Sequence, residues 1–137
     1  MSRAVLILGG AQSDFARHWS REGSDLATEM QRVVQAGLSA CNLPAEQVQA
    51  AHVGNFAAEL FCHQGLLGGL LARCEPAWAE LPIMRHEAAC ASGSMAILAA
   101  MATTESGRAE CVCVLGIEQM RHVSGAQAGE NLACEAW

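Results

Sequence analysis

Basic side chains are scarce in this 137-residue sequence. Eight Lys and Arg stand against fourteen Asp and Glu, a formal net charge of −6. Nucleic acid and anionic membrane surfaces are held largely by basic clusters, so neither is an expected partner. No stretch is long and apolar enough to span a bilayer: the run at residues 4–8 stops at Gly9-Gly10. The N-terminus lacks a secretory pattern. Seven cysteines are present without a single Cys-x-x-Cys pair. Cys111 and Cys113 fall on one face of a strand, which suits burial better than ligation, so no metal is expected. Free thiols in a reducing cytoplasm are the expected state. Internal repeats, low-complexity runs and linkers are also missing, and the length suits one domain of roughly 100–200 residues.

What is present is a strongly apolar chain, 52% hydrophobic and 16% charged, enough to bury a core. Residues 3–8 read as a first strand of the buried parallel kind. Residues 9–23 read as a polar loop, with Asp14, His18 and Trp19 as structural or exposed members. Ser24 is a good N-cap for an amphipathic helix whose stripe is Leu26, Met30, Val33, Gly37, Leu38 and Cys41. Pro44 opens a short helical turn. Residues 50–54 form a second strand, and 55–64 a loop or short helix. Glu59 and His63 are polar candidates there, although a loop packing on its own helix is the stronger expectation for them. Residues 64–74 follow helical spacing, and Gly68-Gly69 inside them imply close packing. A third strand spans 81–88.

The stretch 86–120 organises the rest. It reads as strand, sharp turn, helix and second strand. The helix runs Met95, Ala96, Ile97, Leu98, Ala99, Ala100, Met101, Ala102, apolar on every side, and so is expected to be buried. Gly107 is its left-handed C-cap. Residues 111–115 are apolar on both alternating faces, as in a central strand covered on both sides. The order is that of a layered α/β protein. Cys90 lies at the turn. A thiol attacks carbonyls as its thiolate, and a helix N-terminus favours that charge. Ala91, Ser92 and Gly93 shape the turn and start the helix; Gly93 allows close approach.

Cys90-Ala91-Ser92-Gly93, with Gly116-x-Glu118-x-Met120 after the next strand, resembles the thiolase family. Upstream, Val53-Gly54-Asn55-Phe56-Ala57, Gln64-Gly65-x-Leu67-Gly68 and Gly10-Ala11-Gln12-Ser13-Asp14-Phe15 resemble its sterol carrier protein-type branch. The resemblance implies a layered α/β N-terminal half with a mixed sheet and a buried nucleophile helix. It implies that Cys90 takes an acyl group from acyl-CoA as a thioester. Coenzyme A thioester is then the substrate, no cofactor is bound, and the protein works as a homodimer in the cytoplasm. A zinc-ribbon or OB-fold protein is a further partner expected of this branch. The scattered arginines 17, 21, 73, 85, 108 and 121 form no phosphate cluster and read as solvated charges.

The family also uses a Gly-His-Pro histidine and a second cysteine in Cys-x-Gly. Neither motif occurs in this sequence, and Cys134 is followed by Glu135-Ala136. His86, on the incoming strand, is a weak substitute base. Residues 1–123 are therefore expected to form a thiolase-like N-terminal domain. Residues 124–137 are expected to be the start of a loop region, interrupted at Trp137. The piece alone is expected to be inactive, completed by further sequence or by a chain supplying the second half. The alternatives are a non-catalytic thiolase-like subunit, or a ketosynthase-like condensing enzyme, whose turn usually reads Ala-Cys-Ser-Ser.

Overall fold

The computed structural model describes residues 4–135. Strands β1 (Ala50–Gly54), β2 (Ile83–His86) and β3 (Val112–Gly116) form a parallel sheet in the order β2-β1-β3. Gly54 pairs with His86 on one side and Gly116 on the other, so the three strands end level. The α/β class expected from the sequence is what the chain adopts. No antiparallel strand occurs among the described residues.

Side chains alternate along a strand, and the two faces take different partners. Ala51, Val53 and Leu115 enter a core with Leu26, Met30 and Val34 of α1 (Leu26–Ala40) and Leu67 and Leu71 of α3 (Leu67–Ala72). Trp78 closes this core, fully buried, and its indole N–H reaches the Ala45 carbonyl at 2.9 Å. Gly68 matches the expectation of close packing: a Cβ there would stand 3.0 Å from the Ile83 carbonyl oxygen. On the other face α4 (Ser92–Glu105) lies across the strands, burying Ala96 and Ala100. Two shorter helices, α2 (Ala58–Cys62) and α5 (Gly125–Leu132), flank the strand ends.

Several sequence expectations change. The expected strand at 3–8 is not formed over its described residues, 4–8: Leu6 is 78% and Ile7 93% exposed, with no neighbouring strand among the described residues to bond. Apolar composition gives strand propensity, but a strand needs a partner. The central strand is β1, buried at all five positions, whereas β3 is an edge strand with Val114 and Gly116 exposed. Helix α4 is only half buried. Met95, Ile97, Leu98 and Met101 face outward, because no described element covers that side. The N-cap of α1 is Asp25, whose carboxylate accepts from Thr28 N at 2.8 Å, while Ser24 donates its hydroxyl to Glu29 at 2.6 Å. In the stretch expected to be a loop from 124 on, Ser124 caps α5, and Asn131 binds the Leu60 carbonyl of α2 at 3.2 Å.

Candidate active site

The backbone between β2 and α4 turns sharply. Ala88 is extended in φ, Ala89 is left-handed at φ +48°, and a 3-10 turn Ala89–Ala91 leads into α4 at Ser92. A left-handed alanine costs about 1–2 kcal/mol, so something must hold it. Ser92 does so. Its hydroxyl, 5% exposed as a residue, donates to the Ala89 carbonyl at 2.7 Å and accepts from Ala88 N at 2.9 Å. Glu87 adds a carboxylate that accepts from Ala89 N at 2.6 Å. Cys90 sits inside this loop, exposed, one residue before the helix flank.

The helix start can lie so close to the sheet because Gly54 has no side chain. A Cβ on Gly54 would stand 2.7 Å from Gly93 Cα and 2.7 Å from the Ser92 carbonyl oxygen. Gly93 itself points the other way, and a Cβ there would meet nothing within 4 Å. The close approach expected at Gly93 is therefore made by Gly54 onto it.

Cys90, Ser92 and Gly93 line an open cleft of about 780 Å³. Its floor is the carboxyl end of the sheet, with Asn55, Phe56 and Glu118; its far wall runs from Ala11 to Ser20. Clefts at the carboxyl ends of parallel strands are the usual ligand sites of open α/β sheets. Asp14, His18 and Trp19 belong to the far wall. Asp14 is tied to Ala16 N at 2.8 Å, and His18 caps a 3-10 turn.

Other candidates are placed elsewhere. His63 caps α2 in a left-handed conformation and is exposed; Glu59 pairs with Arg85; neither lines the cleft. His86 also lies outside the cleft lining. Its Nε2 is 2.8 Å from Nδ1 of the fully buried His52, whose Nε2 is 3.1 Å from Thr103 Oγ1. The Thr103 hydroxyl donates to the Ala99 carbonyl at 2.9 Å, so it accepts from His52 Nε2–H. His52 Nδ1 is therefore the acceptor for His86 Nε2–H. His86 is engaged on the α4 face of the sheet and is not placed as a base for Cys90. Burial, with His86 as a second cause, lowers the His52 pKa.

Two residues of the cleft floor, and Arg85 that binds the same backbone, do not stand out in the sequence as site residues. Asn55, 1% exposed, donates to the Ile117 carbonyl at 2.8 Å and accepts from Ala58 N at 3.1 Å. Arg85, expected to be a solvated charge, donates to the Phe56 carbonyl at 2.7 Å and pairs with Glu59. Glu118 is visible only as a member of the Gly-x-Glu-x-Met motif. Its Oε2 accepts from Phe56 N at 2.8 Å and Ala57 N at 3.4 Å. Its Oε1 is buried with no partner among the described residues. Burial pushes the Glu118 pKa up, against the pull of these N–H groups, Asn55 and Arg85. The Cys62 thiol is pushed up to about 11 by burial and by the Glu118 charge.

Fold and turn together define a class: an α/β protein that displays a thiol where its parallel strands end and its sheet-covering helix begins. Residues 5–134 match the family described as thiolase, N-terminal domain, and the chain belongs to that family. It is 32% identical over 136 residues to the acetyl-CoA acetyltransferase of Methanocaldococcus jannaschii, covering 97% of this chain and 33% of that protein. The acetyl-CoA acetyltransferase of Methanothermobacter thermautotrophicus is 32% identical over 123 residues, 88% of this chain and 30% of the relative. Sterol carrier protein 2 of Gallus gallus is 29% identical over 121 residues, 88% of this chain and 21% of the relative. The chain thus spans about a third or less of the length of these relatives.

Proposed function

We propose that this domain carries the nucleophile of a thiolase-type acyltransferase acting on acyl-CoA thioesters, with Cys90 forming the acyl-enzyme. The observation that carries the reading is the placement of Cys90. It is an exposed thiol at a helix start, on a cleft at the strand ends, in a turn stapled by Ser92. The first step is attack of the Cys90 thiolate on the thioester carbonyl. The tetrahedral oxyanion collapses, the C–S bond to coenzyme A breaks, and the coenzyme A thiolate leaves and takes a proton. In the second step the carbanion of another thioester, or the thiolate of free coenzyme A, attacks the acyl-cysteine carbonyl and restores the Cys90 thiolate. Oxyanion donors are needed in both steps.

The base, the second cysteine and those donors belong to further sequence of the complete enzyme, or to a partner chain. The bare apolar face of α4 supports a domain that works against further protein. A homodimer in the cytoplasm, with a zinc-ribbon or OB-fold partner, is the setting we propose for it. The test is turnover of the complete enzyme with acetyl-CoA. Cys90→Ser is expected to cut kcat by about 10³-fold or more, as loss of a covalent nucleophile does. Turnover unchanged in Cys90→Ser would overturn the proposal.

A further inference from the structure

We infer that Glu118 is a positioning residue for acyl transfer at Cys90, acting through the backbone of residues 54–57. The inference rests on the proposed role of Cys90 and adds a residue to it. The Cys90 turn stands on the end of β1. The first residues of α4 touch Gly54 backbone to backbone, with no side chain between to absorb a shift. Asn55 N donates to the His86 carbonyl at 3.1 Å, on the strand that leads into the turn. A movement of residues 54–57 is therefore transmitted both to the helix start and to the strand before Cys90.

Glu118 and Arg85 grip that backbone from opposite sides. Glu118, two residues past β3, accepts the Phe56 and Ala57 N–H groups. Arg85, on β2, donates to the Phe56 carbonyl at 2.7 Å and to the Asn55 carbonyl at 3.4 Å. A carboxylate on the N–H side and a guanidinium on the C=O side polarise the same peptide units, and charge-assisted bonds of this kind are the stronger ones. Ile117 N closes the set by donating to the Gly54 carbonyl at 3.1 Å. All three strand ends are thus tied through four residues, and the acceptor that serves two of their N–H groups is one carboxylate. Glu118 does this from the cleft floor, where Cys90 is also displayed, while its second oxygen is spent on no other described group. Leaving that oxygen buried and unpaired costs desolvation free energy, which the bonds to the Phe56 and Ala57 N–H groups must offset.

The test is stopped-flow acylation of the full-length enzyme by acetyl-CoA in Glu118→Ala, Glu118→Gln and unaltered protein, with melting temperatures measured alongside. The Gln amide oxygen can still accept from Phe56 and Ala57, so it keeps the holding function without the charge. Glu118→Ala is expected to lower the acylation rate at saturating acetyl-CoA by about 10²-fold, the scale of a 1 Å misplacement, with KM changed less than about threefold. Glu118→Gln is expected to regain at least about a tenth of the unaltered rate. Acylation in Glu118→Ala at the unaltered rate overturns the inference. So does a Glu118→Gln variant that melts like the unaltered protein yet acylates no faster than the Ala variant. If Glu118→Ala fails to fold, the Gln variant decides alone: it must melt normally and keep at least about a tenth of the rate. Absence of acylation in the unaltered enzyme would overturn the Cys90 reading itself, a result distinct from either.

Discussion

Gly54 and Gly93 lie in contact, yet the structure predicts opposite outcomes for the same substitution. In Gly54→Ala the new methyl would start 2.7 Å from Gly93 Cα, 2.7 Å from Ser92 O and 2.8 Å from Gly93 N. Favourable carbon contacts lie at about 3.5–4.0 Å, so the two backbones must part by roughly 0.8 Å. None of the three atoms belongs to a side chain that could rotate away. The backbone of Gly54 is ordinary strand, and only Gly9, Gly23 and Gly107 are glycines with positive φ among the described residues, so the penalty is steric alone. Overpacking of this kind costs about 1–3 kcal/mol, which lowers the melting temperature by roughly 3–15 °C for a domain of this size. The displaced segment is the start of α4 and the Cys90 turn. Acylation of Cys90 is therefore expected to fall by about 10-fold to 10²-fold even in the folded variant. Gly93→Ala places its methyl in open space on a helical residue and is expected to leave stability unchanged or raise it by up to about 1 kcal/mol. Thermal unfolding of both variants, with acetyl-CoA acylation rates, checks the pair. Equal melting temperatures for the two, or full acylation in Gly54→Ala, would refute the packing argument.

Further outcomes follow from the same geometry. Ser92→Ala removes both bonds of the staple and leaves Ala88 N–H without its acceptor, a loss of about 1–3 kcal/mol. Urea denaturation measures it, and Ser92→Thr, which keeps the hydroxyl, is expected to lose less. His52 has a folded pKa below its ordinary 6.5, so the unfolded chain takes up that proton first. The stability tied to His52 is present above pH 6.5 and is lost as pH falls through the window down to its lowered folded value, at up to about 1.4 kcal/mol per pH unit. In His52→Gln this part of the acid slope disappears, as chemical denaturation between about pH 7 and pH 5 would register. An unchanged slope would contradict the neutral state of His52 in the folded protein.

Much of the fold is legible in the sequence because it is local. The 3.6-residue stripe marks α1 to within a residue or two, and the short apolar run before Gly54 marks β1. Ser24 and Asp25 are both good caps, and local pattern does not choose between them; Glu29, five residues on, takes the serine hydroxyl. The failures are tertiary. An apolar run such as 111–115 reads the same whether one or two faces are covered, so the edge position of β3 is invisible. Residues 4–8 have strand composition, but no described strand stands beside them. At the site, the Cys90 turn is readable from four consecutive residues. Glu118 grips Phe56 across 62 positions, Arg85 reaches it across 29, and His52 meets His86 across 34. Pairings at such distances are set by strand order, which local pattern does not contain.

The proposed function requires that Cys90 become acylated. The most direct measurement is mass spectrometry of the full-length protein from its native source after brief exposure to acetyl-CoA and acid quench. One acetyl group is expected, labile to hydroxylamine as a thioester is, on the peptide that contains Cys90, and none in Cys90→Ala. An acetyl group retained in Cys90→Ala, or none on Cys90 in a protein that turns acetyl-CoA over, would contradict it.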